Sequence, residues 1–238
     1  MKQIAHIESV YKSKFGVPRQ AGLVDIEAQI VFEKEYRVVE AVRGLEEFDY
    51  VWLIWGFHLV EREGWSPTVR PPRLGGNKRM GVFATRSPFR PNPLGLSSVR
   101  LLRVDVESDN APVLYITGAD LVDGTPIYDI KPYIPYADSH PDACGGFAQQ
   151  APEKVLSVVI PDSLRQQLPD TMQATLQETI SLDPRPHYQD DPQRIYSMSF
   201  DRWEVKFRVA DGVAVIEDCV LNNVNDGNKK QPTASIHR

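Results

Sequence analysis

Cysteine and long apolar runs are both scarce in this sequence. Only Cys144 and Cys219 occur among 238 residues, with no Cys-x-x-Cys pair and no histidine at ligand spacing, so we expect neither a disulfide framework nor a metal site. The longest apolar run, 50–57, is far shorter than the roughly 20 residues of a membrane-spanning helix. The amino terminus lacks the apolar centre of a secretory signal. These absences predict a cytoplasmic protein that does not bind membranes.

Two common nucleotide-binding motifs are also missing. No Gly-x-Gly-x-x-Gly follows a predicted strand, and no Gly-x-x-x-x-Gly-Lys-Ser/Thr loop occurs. We therefore do not expect Rossmann-type cofactor binding. The hydrophobic content of 42% is sufficient for one sizeable core and a smaller appended domain.

Acidic residues are absent from the segment 64–103, which we call the basic segment. The whole chain carries a formal net charge of −5, yet this segment holds eight lysines and arginines and no Asp or Glu. Such charge segregation predicts a surface for nucleic acid or phosphate. The alternative is that these side chains pair with carboxylates from elsewhere in the fold. The eight residues are Arg70, Arg73, Lys78, Arg79, Arg86, Arg90, Arg100 and Arg103.

Alternation of polar and apolar residues dominates the first 120 residues and indicates half-buried strands. The strand candidates are 4–10, 24–32, 50–58, 80–85, 96–106 and 113–117. Turn-rich segments separate them, which favours an antiparallel sheet or barrel. Apolar residues spaced by three predict one short helix over 39–48.

The character of the sequence changes after residue 136, where a stretch rich in small residues indicates a linker and a boundary near residue 150. We predict a mainly β protein, with an antiparallel β-barrel domain over 1–145 and a smaller α+β extension over 152–221. In the extension we expect a strand over 155–160, a helix capped by Thr171 that ends near 181, and a hairpin around Ala210-Asp211-Gly212. The polar tail 222–238 is predicted to be disordered.

A proline-stiffened turn over 81–92 contains Arg86 and Arg90. Prolines fix the backbone φ angle and remove donors, so this turn holds the two arginines as a candidate anion clamp. A surface turn with solvated arginines is the alternative. The motif 183–188 has similar chemistry, because it combines prolines with Arg185 and Tyr188, which suit phosphate binding and base stacking. Its alternative is a proline-rich connector.

A second dense motif, 120–133, contains three carboxylates. Asp123-Gly124-Thr125 must turn sharply, which suits either a small polar ligand or a self-capping β-turn. The alternation after it is interrupted by Asp129 and Lys131, which would bury charge unless the two pair. His58, at the end of an aromatic strand, is either a structural residue or a proton acceptor.

The motifs 81–95, 120–126 and 129–133 together resemble the TrmO (TsaA-like) family of tRNA adenine-N6 methyltransferases. The segments 17–20, 41–45 and 70–76 are also similar to the family. The resemblance covers residues 1 to about 140, and 183–188 is similar to the carboxy-terminal extension of the bacterial members. It implies a β-barrel that binds S-adenosylmethionine, a homodimer, and methylation of N6-threonylcarbamoyladenosine beside the anticodon of threonine-accepting tRNA.

The resemblance also implies site residues. The cofactor positions are Pro18, Arg19, Gln20, His58, Leu59, Arg86, Leu96, Asp123, Gly124, Thr125 and Pro126. We assign substrate contacts to Arg90, Asn92, Lys131, Tyr133, Arg185 and Tyr188. The adenine N6 is a weak nucleophile, so an acceptor for its proton should assist methyl transfer. The candidates are Asp129, His58 and Asp183, among which the sequence does not choose.

Two other functions compete with the methyltransferase. A non-catalytic RNA-binding barrel would use the basic segment, although it would gain nothing from the carboxylates of 120–133. A small-molecule methyltransferase would leave the basic segment without a role. Since every cofactor position lies before residue 130, we expect the extension to contact tRNA and not the cofactor.

Overall fold

The computed structural model describes residues 1–60, 64–185 and 191–222. Twelve strands are found there: β1 (Ala5–Glu8), β2 (Glu27–Phe32), β3 (Tyr50–Gly56), β4 (Thr68–Val69), β5 (Met80–Gly81), β6 (Leu94–Asp105), β7 (Val113–Thr117), β8 (Pro126–Pro132), β9 (Ser157–Val159), β10 (Ile195–Phe200), β11 (Trp203–Ala210) and β12 (Val213–Leu221). The α-helices are α1 (Pro135–Asp138), α2 (Asp162–Arg165) and α3 (Asp170–Ser181). The predicted tail over 223–238 lies outside the described residues.

Six strands close into an antiparallel barrel in the order β1-β2-β7-β6-β3-β8. Alternate residues of each strand face inward, so β3 buries Val51, Leu53 and Trp55 and leaves Trp52 and Ile54 on the outer surface. The barrel predicted from the alternation is confirmed. Closure removes the open sheet edges of these strands.

The C-terminal part forms a second sheet in the order β10-β11-β12-β9. The predicted hairpin joins β11 and β12, and its turn has positive φ at Asp211 (50°) and Gly212 (74°), which is typical of a two-residue hairpin turn. Helix α3 buries Met172, Leu176 and Ile180 against this sheet.

The second core also contains residues from the first part of the chain. Tyr11, Val24 and Ile26, which lie within the connection between β1 and β2, belong to the same buried cluster as Phe200 and Phe207. Tyr11 packs edge-on against Phe200 with 5.8 Å between ring centroids. The β1–β2 connection is therefore shared between the barrel and the second sheet.

Three local predictions are wrong. A single helix over 39–48 is replaced by two 3-10 helices, Val39–Val42 and Leu45–Glu47, which Gly44 separates at φ 82°. The strand over 80–85 ends at Gly81, since Val82–Ala84 forms a 3-10 helix. Helix α3 is preceded by Pro169, not by a Thr171 cap, and its N-cap makes no side-chain hydrogen bond.

Among the described residues, no helix is long and apolar enough to cross a bilayer. The same residues contain no group of three or more His, Cys, Asp or Glu side chains placed to hold a metal ion. Cys144 is exposed and Cys219 is buried, and both are free thiols.

Candidate functional site

The turn Asp123-Gly124-Thr125, between β7 and β8, is bound to the end of β1. The backbone N–H of Asp123 donates to the Tyr11 carbonyl and that of Gly124 to the Ile7 carbonyl, both at 2.8 Å. Gly124 has φ 75°, in the left-handed region that favours glycine. These two N–H groups are therefore satisfied within the protein and do not serve a ligand in this conformation.

The Asp123 carboxylate has structural partners as well. Its Oδ1 accepts a hydrogen bond from the Ser9 N–H at 2.9 Å, and its Oδ2 lies 3.0 Å from Lys12 Nζ. The ion pair connects the turn to the start of the β1–β2 connection. Both described partners of the carboxylate lie outside the turn, so the self-capping interpretation of Asp123 is not supported, and the ligand-binding interpretation stays a prediction.

His58 follows β3 and lies against the same turn. Its Nδ1 is 3.4 Å from Oγ1 of the buried Thr125, and that hydroxyl donates to the Val122 carbonyl at 2.6 Å. Partial burial lowers the pKa of His58 from its ordinary value of 6.5, and the charge of Asp123 only partly opposes this effect. The imidazole is therefore neutral at pH 7.

The β1–β2 connection crosses this end of the barrel. Lys14 Nζ donates to the Leu59 carbonyl at 3.0 Å, and Nη1 of Arg86 donates to the Gln20 side-chain oxygen. Pro18 is buried between these contacts, and Arg19 is exposed. Four segments that hold predicted cofactor positions, around residues 18–20, 58, 86 and 123–126, are consequently joined to one another.

The second core holds this connection in place. Phe15 contacts the rings of both Tyr196 (6.3 Å between centroids) and Phe207 (6.2 Å), which also contact each other. Gly16 has φ 95°, and a Cβ there would lie 2.1 Å from the Met198 sulfur. The strands β10 and β11 thus fix the segment that contains Pro18, Arg19 and Gln20.

Asp120 is a further candidate site residue, which the sequence analysis did not assign. Its Oδ1 accepts a 2.6 Å hydrogen bond from the Ser97 hydroxyl, which itself accepts from Trp55 Nε1 at 3.0 Å. Burial raises the pKa of Asp120 above its ordinary value of 3.8, while Ser97 and the charge of Arg86 oppose the rise. The sequence feature that could have identified Asp120 is its position as the first carboxylate of the motif 120–133.

The outer surface of the barrel carries a second group of predicted residues. Leu96, Ile54 and Asp129 are neighbours in register across β6, β3 and β8, and Leu96 is 54% exposed. Asp129 pairs with Lys131 at 3.1 Å. The charges that interrupt this alternation are therefore paired and also partly solvated.

Other predicted substrate residues lie around these two groups. Tyr133 contacts Trp52, with ring centroids 5.8 Å apart, at the far end of β8. Arg90 donates from Nη2 to the Thr85 carbonyl at 3.3 Å, and Asn92 is exposed two residues before β6. These positions border the outer surface of β3, β6 and β8.

The motif 183–188 lies in the C-terminal part of the sequence, after helix α3. Both carboxylate oxygens of Asp183 accept hydrogen bonds from Arg185, from Nε and Nη2, at 2.8 Å each. The two side chains are only 18% and 12% exposed. Tyr188 lies outside the described residues.

The basic segment is not neutralised by the fold. Within the described ranges, none of its eight lysines and arginines forms an ion pair with a carboxylate, and all except Arg90 are exposed. Arg103 instead lies over the Tyr115 ring at 3.2 Å from its centroid. The interpretation in which carboxylates from elsewhere pair with these side chains is thus not supported by the described residues.

Comparison with known proteins identifies relatives of both the barrel part and the C-terminal part of the chain. The tRNA-methyltransferase O N-terminal domain matches residues 6–139, and the TrmO C-terminal domain matches residues 153–222. A tRNA (adenine(37)-N6)-methyltransferase of Eikenella corrodens is 52% identical over 71% of this chain and 96% of its own length. The Escherichia coli K12 protein of the same name is 45% identical over 88% of this chain and 93% of its own.

A solved structure is similar along nearly the whole chain. The crystal structure of TrmO from Pseudomonas aeruginosa has a TM-score of 0.73 and 32% sequence identity, and the match covers 92% of this chain and 95% of the other. A further relative in P. aeruginosa PAO1, 40% identical over 82% of this chain and 86% of its own length, is described as a putative S-adenosylmethionine-dependent methyltransferase.

Proposed function

This chain belongs to the TrmO family of S-adenosylmethionine-dependent tRNA (adenine-N6) methyltransferases, and from this premise we propose that its substrate is N6-threonylcarbamoyladenosine beside the anticodon of threonine-accepting tRNA. The observation that carries the proposal is the joining of four distant cofactor segments at one end of the barrel, next to an unneutralised basic segment. A non-catalytic RNA-binding barrel would have no use for this convergence.

The side chains at this end of the barrel fit S-adenosylmethionine. Arg86 is exposed and makes no ion pair with any described carboxylate, so its guanidinium can bind the carboxylate of the methionine part. Leu59 and Leu96 are 39% and 54% exposed and offer apolar surface to an adenine ring. The buried carboxyl group of Asp120 interacts electrostatically with Arg86. When bound, S-adenosylmethionine supplies an electrophilic methyl group.

His58 is the proton acceptor that the geometry favours. The Thr125 hydroxyl donates to Val122, so its oxygen accepts from Nδ1–H of His58, and this tautomer has an unprotonated Nε2. Nε2 can then take the N6 proton as the nitrogen gains its methyl group. Asp183 is a weaker candidate because Arg185 occupies both of its oxygens. Asp129 remains the alternative, since its ion pair with Lys131 is half exposed.

The RNA would lie along the basic segment and the outer surface of the barrel. We assign its phosphate contacts to Arg90 and Lys131 and its base contacts to Asn92 and Tyr133, with Arg185 and Tyr188 of the extension as further contacts. Positioning of two reactants supplies a large part of the rate in displacement reactions, so these contacts act mainly by orienting N6.

We also propose that the protein works as a homodimer in the cytoplasm. An open groove lined by Glu46, Phe48, Asp49, Arg100, Leu101, Leu102, Arg103 and Val104 has acidic and basic groups side by side. Such a surface is complementary to a second copy of itself, and the adjacent Tyr50 is 44% exposed. Sedimentation at micromolar concentration should give twice the mass of one chain, and a monomer would contradict this part of the proposal.

The decisive experiment compares two threonine tRNAs that differ only in the modification. The purified chain is incubated with S-adenosylmethionine labelled in its methyl group and with either a threonine tRNA transcript that carries only the N6-threonylcarbamoyl modification or the unmodified transcript. We expect label at N6 in the modified tRNA alone. Equal labelling of the unmodified transcript would contradict the proposed substrate, and absence of label from any tRNA would contradict the activity itself.

A further inference from the structure

Two large aromatic side chains are exposed side by side within the basic segment. Trp65 is 51% exposed and Phe83 is 73% exposed. Their rings are stacked, with centroids 6.5 Å apart and planes inclined by 21°. Neither residue belongs to the cofactor positions, and no interaction described above explains why both rings face solvent.

The backbone around these rings is well anchored. Val82, next to Phe83, is only 1% exposed, and its N–H donates to the Pro67 carbonyl at 3.0 Å. The N–H of Ser66, next to Trp65, donates to the Phe89 carbonyl at 3.0 Å. Strands β4 and β5 pair between them. Buried anchors and hydrogen bonds therefore hold the two rings outward as a fixed platform.

The charge around the platform indicates which class of partner binds there. Arg79 is exposed, and its Nη1 donates to Oγ1 of Thr68 on β4. Arg70 directly follows β4, Arg90 follows Phe89, whose carbonyl accepts from the Ser66 N–H beside Trp65, and 64–103 contains no acid. A purely apolar partner would gain nothing from these cations. Unpaired RNA nucleotides match both features, because their bases stack on aromatic rings and their phosphates bind arginine.

The platform is also close to the cofactor positions along the chain. Phe83 precedes Arg86 by three residues, so their Cα atoms are at most about 11 Å apart. The hydrogen bond between Ser66 and Phe89 ties Trp65 to the same turn. A base stacked here would therefore belong to a nucleotide near the methylated adenosine and not to a distant arm of the tRNA.

We propose that Trp65 and Phe83 stack an unpaired nucleotide of the anticodon loop adjacent to the target adenosine, while Arg79 and Arg90 bind its phosphates. The inference rests on the proposed function and adds to it a second base-recognition site, outside the methyl-transfer site. It predicts that RNA affinity depends on aromatic character at residue 83, not only on charge.

The test measures binding of the modified anticodon stem-loop RNA of threonine tRNA to full-length variants. Phe83→Ala and Trp65→Ala should each raise the Kd for this RNA about tenfold, in the range expected for loss of one base–aromatic stack. Phe83→Tyr should bind like the parent, and Phe83→Leu should not. Tyr136→Ala is the matched control, because Tyr136 is an exposed aromatic (91%) outside the basic segment. The Kd for S-adenosylmethionine should be unchanged in every variant.

Salt dependence separates stacking from charge. Phe83→Ala should leave the slope of log K against log salt at the parent value, whereas Arg79→Ala should reduce its magnitude by about one, as for one phosphate contact. A changed slope in Phe83→Ala with an unchanged slope in Arg79→Ala would overturn the proposal.

Three outcomes would contradict the platform. Parent-like RNA affinity of both alanine variants, with the parent methylating tRNA normally, would refute it and leave the proposed function intact. Recovery of binding by Phe83→Leu would show an apolar contact without stacking. Conversion of a dimer to a monomer by Phe83→Ala, with RNA affinity per chain unchanged, would assign the rings to a self-interface. Failure of the parent to methylate any tRNA would instead refute the proposed function.

Discussion

Arg86 combines exposure with a defined position. Its guanidinium contacts the Gln20 side chain and lies near the buried carboxylate of Asp120. Because the side chain is exposed, truncation removes ligand contacts without opening a cavity. We expect Arg86→Ala to raise the Kd for S-adenosylmethionine at least tenfold, or about 1.4 kcal/mol, with the fold retained by circular dichroism. Arg86→Lys should recover part of the affinity, because lysine keeps the charge but not the planar fork.

Calorimetric titration measures this effect, and Arg100→Ala is the control, since Arg100 is an exposed arginine of the same basic segment but lies on β6 away from the turn. Equal cofactor affinity of Arg86→Ala and the parent would show that Arg86 has no role in the cofactor site.

His58 should determine the acidic limb of the plot of kcat against pH. The imidazole accepts a proton only when neutral, and its pKa lies below the ordinary value of 6.5. We therefore expect kcat to be constant above pH 6.5 on this limb and to fall as the pH decreases through the lowered pKa. His58→Gln should reduce kcat about a hundredfold and abolish the limb.

Asp129→Asn is the comparison for His58→Gln, because Asp129 is the remaining candidate acceptor. We expect Asp129→Asn to retain both the fall in kcat at low pH and most of the parent kcat. The reverse pattern, with Asp129→Asn losing the limb and His58→Gln retaining it, would transfer the role of proton acceptor to Asp129.

Ionisation of Asp120 should lower the free energy of unfolding as the pH rises toward neutrality. Its pKa in the folded protein is raised above 3.8, so the folded state binds this proton more tightly than the unfolded state does. The free energy of unfolding then decreases as the pH rises from about the unfolded value through the raised folded value. Asp120→Asn keeps an acceptor for the Ser97 hydroxyl but cannot ionise. We expect its stability relative to the parent to increase with pH over this interval.

Denaturant unfolding of both proteins between pH 4 and 8 measures the difference, in which the other titrating groups cancel. A stability difference that is constant with pH would mean that Asp120 is not the titrating group.

At the scale of elements, alternation identified the strands whose two faces differ. β3 and β6 were predicted because buried residues alternate with more exposed ones along much of each strand. β2 and β7 were also predicted from alternation in the sequence, although β7 has no exposed residue and the last three residues of β2 are all buried. β8 was noted only as a motif, since the paired Asp129 and Lys131 on its outer face disturb the apolar pattern. β10 was not predicted, although Tyr196, Met198 and Phe200 alternate with Ser197 and Ser199 and so carry the same period-two signal.

The short helix was predicted wrongly for a related reason. Spacing of three fits a 3-10 helix as well as an α-helix, and only the positive φ of Gly44 decides that the segment is broken. The cofactor positions came from the resemblance, whereas the contacts that join them, such as Lys14 with Leu59, depend on tertiary packing that periodicity does not encode.

The β1–β2 connection offers a test of how an element positions the site. Gly16 and Gly22 both have positive φ, but only at Gly16 would a Cβ meet Met198, whereas at Gly22 nothing lies within 4 Å. Alanine at either residue introduces left-handed strain of about 1–2 kcal/mol, and the clash adds about 1–3 kcal/mol at Gly16. We expect Gly16→Ala to lose more stability than Gly22→Ala and also to weaken binding of S-adenosylmethionine.

Denaturant midpoints and cofactor titrations of the two variants give the comparison. Combining Gly16→Ala with Met198→Ala should lower the free energy of unfolding by less than the sum of the two single changes, because the smaller side chain makes room for the new methyl group. Strict additivity would show that Met198 does not hold the connection.

At the scale of the whole molecule, the sequence predicted a barrel followed by an extension, and the barrel is confirmed. The assignment of cofactor binding to the first part alone followed from the positions of the cofactor residues along the chain. The structure adds a physical connection that composition cannot reveal, since Tyr11, Val24 and Ile26 complete the second core. Long-range packing of this kind leaves no local pattern, because each residue also fits the barrel alternation.

Truncation after residue 150 tests whether the extension supports the cofactor site. Removal of β10 and β11 would expose Tyr11 and Phe15 and free Gly16 from Met198. The connection that contains Pro18, Arg19 and Gln20 would then lose its support, although the barrel strands keep all their neighbours. We expect a folded fragment, by circular dichroism, whose affinity for S-adenosylmethionine is at least tenfold lower and which does not methylate tRNA. Phe15→Ala in the full chain is the matched variant, and it should weaken cofactor binding in the same direction. A fragment that binds the cofactor like the parent but fails only on tRNA would show instead that the extension serves the RNA alone.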